Sequence, residues 1–255
     1  MDGLSRALAL RPKEHVALVG GGGKTSLLFE MARVLRGGRK RVLLTTTTKL
    51  WHRQALQSPA LILTRSDMAW RTKLVEALQV YGNVMLAGSL LESAKVQGID
   101  PALADELYLN APIDYMLVEA DGSAGHSVKA HAVHEPVVPA STTAVVALLG
   151  LDALNQPLGP EIVFRWEAFK QITGAALGQT LTSRVLTRLF SHPAGLFKEA
   201  PDHATRIVFL NKLDVLADEK GVRDLVDRIL RLAPHLIARV VIGSVKRGDF
   251  LVVTT

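Results

Sequence analysis

The sequence predicts an α/β fold, a mostly parallel sheet with helices on both faces. Three observations carry this: short apolar runs alternate with amphipathic stretches, a strand runs into four glycines and then a helix, and another apolar run ends in carboxylates. At 255 residues, 48% hydrophobic and 21% charged, the chain has the composition of a globular protein with a substantial core, not of a disordered one. One domain over residues 1–255 is expected, with a helical subdomain near 160–200.

Residues 1–11 read as a leading helix, because they lack the long apolar core and small-residue cleavage site of a signal peptide. A strand over 15–19 is followed by a helix over 24–35, whose Leu27, Leu28, Met31, Ala32 and Leu35 share one face before Gly37 and Gly38 end it. Further strands are expected at 41–45, 61–64, 84–87 and 114–119, with a helix over 67–79 and another opened by Asp100 as cap and Pro101 in its first turn. Residues 121–141 are polar, rich in His and Pro and without either period, which suits a long functional loop. The sheet resumes at 144–149. Helices follow at 166–173 and 182–191, then a strand at 206–210, a helix at 216–232, and strands at 238–243 and 250–253.

With no cysteine, disulfides and thiolate metal sites are excluded, and a cytoplasmic setting is the expectation. No apolar run approaches the roughly 18–20 residues of a membrane span. The net charge of +6 comes with a single dense basic run, at 36–41, which reads as a solvated turn between helix and strand and not as a nucleic-acid surface.

The junction after residue 19 holds Gly20, Gly21, Gly22, Gly23, Lys24, Thr25 and Ser26. Glycines let the backbone approach an anion and turn its amides inward at the mouth of a helix, Lys24 supplies positive charge for terminal phosphates, and the Thr25 hydroxyl suits a Mg²⁺ shell. The loop is shorter than G-x-x-x-x-G-K-[ST], whose first glycine would stand where this chain has Leu18.

Directly after the strand at 206–210 come Asn211, Lys212, Leu213 and Asp214, the N-K-x-D pattern of guanine-specific NTPases. There the carboxylate accepts hydrogen bonds from guanine that adenine has no donors to make, the Asn holds the loop and the Lys lies along the base. Ser244 and Lys246, after the strand at 238–243, resemble the S-A-K segment that supports guanine in such proteins.

The strand at 114–119 ends in Glu119, with Asp121 two residues on, the layout of a Mg²⁺-holding strand end; Asp121 is the first candidate for the metal shell and Glu119 the second, orienting a water or a ligand. Lys129 is a candidate for developing phosphate charge. His134 and Glu135 are candidates for contacts with a second substrate, and His126, His131, His134 and Glu135 have the residue types, without the regular spacing, of a zinc site. Thr45, Thr46, Thr47 and Thr48 close a parallel strand at the edge where ligands bind in such sheets.

Together, V-G-G-G-G-K-T-S at 19–26, T-T-T-T at 45–48, V-E-A-D-G-S at 118–123 and H-E-P-V-V-P at 134–139 resemble the YqeC family, over roughly residues 15–215. These are described as accessory proteins of selenium-dependent molybdenum hydroxylases. The resemblance implies a P-loop NTPase fold in which the short glycine loop is a family trait, a loop lysine matched by Lys129, and a role in molybdenum-cofactor maturation. The family pattern has a proline where this chain has His131. Three readings stay open: a Mg²⁺-dependent NTPase using GTP in preference to ATP, a kinase or nucleotidyltransferase acting on a small acceptor, and a nucleotide-dependent binding module. The expected partners are the nucleotide and a molybdenum hydroxylase or a protein of its cofactor maturation.

Overall fold

The computed structural model describes residues 3–216, 219–232 and 236–254. The first half contains α1 (Gly3–Leu8), β1 (Glu14–Gly20), α2 (Lys24–Gly37), β2 (Val42–Thr46), β3 (Lys49–Trp51), α3 (His52–Ala55), β4 (Leu61–Leu63), α4 (Trp70–Tyr81), β5 (Asn83–Ala87), β6 (Ser89–Leu90), β7 (Lys95–Gln97), α5 (Pro101–Asn110) and β8 (Tyr115–Glu119). The second contains β9 (Val128–Lys129), β10 (Ala144–Gly150), β11 (Val163–Phe164), α6 (Trp166–Thr173), α7 (Ser183–Ser191), β12 (Thr205–Asn211), α8 (Lys220–Leu232), β13 (Arg239–Ser244) and β14 (Asp249–Val253).

Nine strands form one sheet in the order β14-β13-β12-β10-β1-β8-β2-β5-β4. All pairs are parallel except the edge pair β13 with β14. The inner strands β1, β8 and β10 are buried along their whole length, as a sheet covered on both faces requires. Alternation divides β1 between two cores: Val16 and Leu18 pack with Leu27, Leu28 and Met31 of α2, while Ala17 and Val19 face the layer that includes Leu107 of α5, Leu186 of α7 and Leu225 of α8. This is the predicted fold class, an open, mostly parallel α/β sheet covered by helices, with α6 and α7 as the helical insertion. No helix among the described residues is long and apolar enough to cross a membrane.

The chain leaves β1 towards β2 on one side and later fills β10, β12 and β13 on the other, so the order reverses beside β1. Ligands of open α/β sheets bind at such a reversal, outside the carboxyl ends of the strands. The glycine loop, Glu119 and Asn211 all stand at that edge.

Some boundaries move for identifiable reasons. The helix expected from 67 starts at Trp70, and its last turn runs to Tyr81 because Gly82, at φ 75°, returns its amide to Leu78 O. The helix expected from 216 starts at Lys220, since Leu213–Val215 close a 3₁₀ turn; residues 217 and 218 of that expectation lie outside the described residues. The segment 121–141, read as irregular, contains the short strand β9, which pairs with β11, and elsewhere β3, β6 and β7 form a separate three-stranded antiparallel sheet. Strands of two or three residues are too short to carry a period.

His15 is a buried titratable group at the start of β1. Its Nδ1 meets Ser141 Oγ at 2.9 Å, its Nε2 has no partner among the described residues, and burial lowers its pKa to about 4 despite Asp105 nearby. The ring is therefore neutral when folded, while the unfolded chain takes up a proton below its ordinary value near 6.5; stability falls as pH falls from 6.5 to 4. Between pH 7 and 4 the native chain is expected to lose about 3 kcal/mol more than His15→Gln in urea unfolding. Equal losses would refute this.

Candidate nucleotide site

The loop between β1 and α2 is shaped by glycine at positions where nothing else fits. Gly22 (φ 82°) and Gly23 (φ 116°) are left-handed, and a Cβ would lie 2.2 Å from Gly150 N in the first and 2.6 Å from Asn211 Nδ2 in the second. The cradle is shorter than the sequence suggests. The amide of Gly20 donates to Asp121 Oδ2 (3.0 Å), that of Gly21 to Leu148 O (3.1 Å) and that of Gly22 to His126 O (2.9 Å), so these three serve the loop itself. The amides of Gly23, Lys24, Thr25 and Ser26 have no acceptor among the described residues, and Leu27 N makes the first helical bond, to Gly23 O. Four amides at the positive end of a 14-residue helix are the kind of donor set that suits an anion.

Lys24 is folded back into this loop. Its Nζ donates to Gly20 O at 2.6 Å and stands 3.2 Å from Asp121 Oδ1 and 4.0 Å from Glu119 Oε1. Thr25 Oγ1 donates to Glu119 Oε2 at 2.7 Å. Glu119 faces the cleft beside Thr25, and burial raises its pKa although Lys24 and the Thr25 hydrogen bond oppose the shift.

Asp121 is placed differently from the sequence expectation. It is sealed beneath the loop, with Oδ2 bonded to Gly20 N, 2.8 Å from His131 Nε2 and 3.2 Å from Lys129 Nζ. Burial alone would raise its pKa, but Lys24, the His131 hydrogen bond and Lys129 outweigh it and hold the carboxyl well below the usual range. The strand ends at Glu119, so the alternation that would have put both carboxylates on one side no longer applies at 121. Of the two, only Glu119 lines the cleft.

Lys129 is likewise no free cation. Its buried Nζ bonds Gly122 O and lies 2.7 Å from Glu135 Oε2, which Arg165 also holds. Burial raises the pKa of Glu135, yet Lys129 and Arg165 prevail and lower it. His131 is turned inward between Asp121 and Gly195 O, His126 bonds Ser123 O and Pro160 O, and His134 is exposed on the cleft. Among the described residues no three His, Asp or Glu side chains are arranged to hold a metal, so the zinc grouping does not assemble. The threonines are mostly structural: Thr45, Thr46 and Thr47 donate to Leu86 O, Glu119 O and Val137 O, leaving Thr48 and the rim of Thr47 on the cleft.

On the other side of the loop Asn211 is a clamp. Its Nδ2 donates to Gly22 O (2.8 Å) and its Oδ1 accepts from Val245 N (3.0 Å), tying the glycine loop to the end of β13. Lys212 Nζ bonds Ser127 Oγ (2.6 Å) and Asp152 Oδ2 (2.8 Å). The Asp214 carboxylate makes no bond to a described residue and faces a cleft of about 790 Å³ with Ser244 and the exposed Lys246. Ser244 Oγ itself accepts from Arg247 N. A second cleft, of about 870 Å³, contains Lys24, Thr25 and Glu119; the two meet at Gly23, Ser26 and Lys212. Ser127, Asp152 and Arg165 were not legible in the sequence, because each acts through a partner 25 to 85 residues away.

The YqeC family model, described as YqeC protein, matches residues 16–167. The chain belongs to the YqeC family. The matched region contains the glycine loop, Glu119, Asp121, Lys129, Glu135 and Arg165, and stops before Asn211 to Asp214. "Uncharacterized protein YqeC" of Escherichia coli (strain K12) is 36% identical over 197 residues, 77% of this chain and 75% of that one. Among solved structures, chloroplast FtsY from Physcomitrella patens aligns with a TM-score of 0.45 at 13% identity, over 91% of this chain and 60% of its own. Cell division protein ftsY from Thermotoga maritima aligns with a TM-score of 0.44 at 18% identity, over 96% and 66%. The chain thus spans less than two thirds of either FtsY chain.

Proposed function

We propose that this YqeC chain binds a Mg²⁺–nucleoside triphosphate, GTP before ATP, and hydrolyses it as an accessory factor in molybdenum hydroxylase maturation in the cytoplasm. Because strands from both ends of the chain share one sheet, residues 1–255 are read as a single nucleotide-binding domain. The observation that carries the reading is the row of free amides from Gly23 to Ser26, set between two clefts of the size of small-molecule sites. The base belongs beside Asp214 and Lys246, the phosphates across the start of α2, and the terminal phosphate beside Lys24.

The Thr25 hydroxyl and the Glu119 carboxylate, 2.7 Å apart at the helix mouth, are hard oxygen donors suited to a small divalent cation. When bound there, Mg²⁺ would offset phosphate charge. The chain's own part is positioning and electrostatics: helix amides and Lys24 hold the phosphates, and Glu119 stands at the cleft where it can orient a water. Asp121 and Lys129 act through Lys24 and Glu135 and not on the ligand.

Base preference is a separate test. A hydrogen bond to a charged group contributes about 1.5–3 kcal/mol, so Asp214 is expected to favour GTP over ATP by roughly ten- to a hundredfold. Asp214→Ala should bring the two affinities together in a competition assay with a fluorescent nucleotide. An unchanged ratio would remove Asp214 from base recognition.

A further inference from the structure

The cleft that contains Lys24 and Thr25 continues past them to a wall that phosphate binding does not need. This wall is the small sheet of β3, β6 and β7 with the adjoining α3, and it brings Lys49, Trp51, Arg53 and Lys95 to the cleft. Antiparallel register sets Trp51 directly opposite Lys95, and His52 N bonds Ala94 O to fasten the turn. Trp51 is 43% exposed, with Lys95 Nζ 4.5 Å and Arg53 Cζ 5.9 Å from its ring centroid. The indole therefore holds two cations in place that would otherwise sweep freely through solvent.

None of Lys49, Arg53 and Lys95 has a carboxylate partner among the described residues. The two carboxylates in the cleft are already engaged, Glu119 by Thr25 and Lys24, and Glu135 by Lys129 and Arg165. Three uncompensated cations in a concave wall focus a positive field into the cleft. Phe164 and Val137 supply apolar surface to the same cleft.

We infer that this wall binds a second substrate, a small organic anion carrying a phosphate ester or a polycarboxylate, next to the terminal phosphate of the nucleotide. The inference rests on the nucleotide reading for what lies beside the anion, but its residues are separate from those that hold the nucleotide. Solvated lysines need no aromatic platform, and a site for phosphates alone needs no cations on a second sheet.

The test is a titration of phenyl phosphate and, separately, of phthalate, followed by tryptophan fluorescence. It is run on the free chain and on the chain saturated with Mg²⁺ and a non-hydrolysable GTP analogue, whose own binding is measured first. At least one anion should saturate the nucleotide-loaded chain, and R53Q/K95Q should raise its half-saturating concentration about tenfold or more. The nucleotide affinity of that variant should change less than about twofold. Tighter phenyl phosphate identifies a phosphate ester, tighter phthalate a polycarboxylate. If neither anion saturates, or the variant binds as tightly as the native chain, the inference is wrong. If the nucleotide fails to bind, the nucleotide reading falls, and the anion wall stands or falls on the same variant comparison in the free chain.

Discussion

Replacing Asp121 by Ala is expected to cost about 3–5 kcal/mol of unfolding free energy, the scale of breaking a buried ion pair by removing one partner. The carboxylate is fully buried and is shared by Lys24, Lys129, His131 and the amide of Gly20. Without it Lys24 keeps its bond to Gly20 O and, as counter-charge, Glu119 at 4.0 Å, and Lys129 keeps Glu135, so two buried cations lose their common counter-charge. Asp121→Asn should be intermediate, since it can still accept from Gly20 N. Urea unfolding at pH 7 reads both variants, and a loss below about 1 kcal/mol for Asp121→Ala would show that the cluster relaxes without it.

Removing Lys24 should act on binding more than on folding. In Lys24→Ala, Asp121 still has Lys129, His131 and Gly20 N, so the fold is expected to survive. The triphosphate, however, loses a desolvated cation, and truncation of such charge pairs costs about 2–5 kcal/mol, or roughly 30- to several thousand-fold in affinity. The loss should be shared by every triphosphate, because Lys24 is remote from the base cleft. Nucleoside affinity should barely change. A base-dependent effect of Lys24→Ala would mean that the loop and the base reader are not separate parts.

The elements that position this site were legible because they are long or chemically marked. A buried strand, four glycines and an amphipathic helix can be read locally, and so can Asp100 with Pro101, where the structure does find the cap bonded to Ala102 N. The division of labour between Glu119 and Asp121 was not. Strand alternation would put them on one side, but β8 ends at Glu119, Ala120 N bonds Leu18 O, and Asp121 turns under Gly20. Lys129 reads as a loop cation and is instead buried, because its counter-charges, Asp121 and Glu135, lie on segments that only the fold brings together. The same holds for Asn211: its pattern identifies it, but its grip on Gly22 O spans 189 residues. The short strands that carry Trp51 and Lys95 leave no period to read.

The central claim is that a nucleotide occupies the mouth of α2, and calorimetric titration of the chain with GTP, ATP and CTP, each with and without Mg²⁺, tests it most directly. Saturable, Mg²⁺-strengthened binding with GTP tightest is the expected result. Absence of heat and of competition for all three nucleotides, in chain shown to be folded, would contradict it and leave the glycine loop as a structural turn.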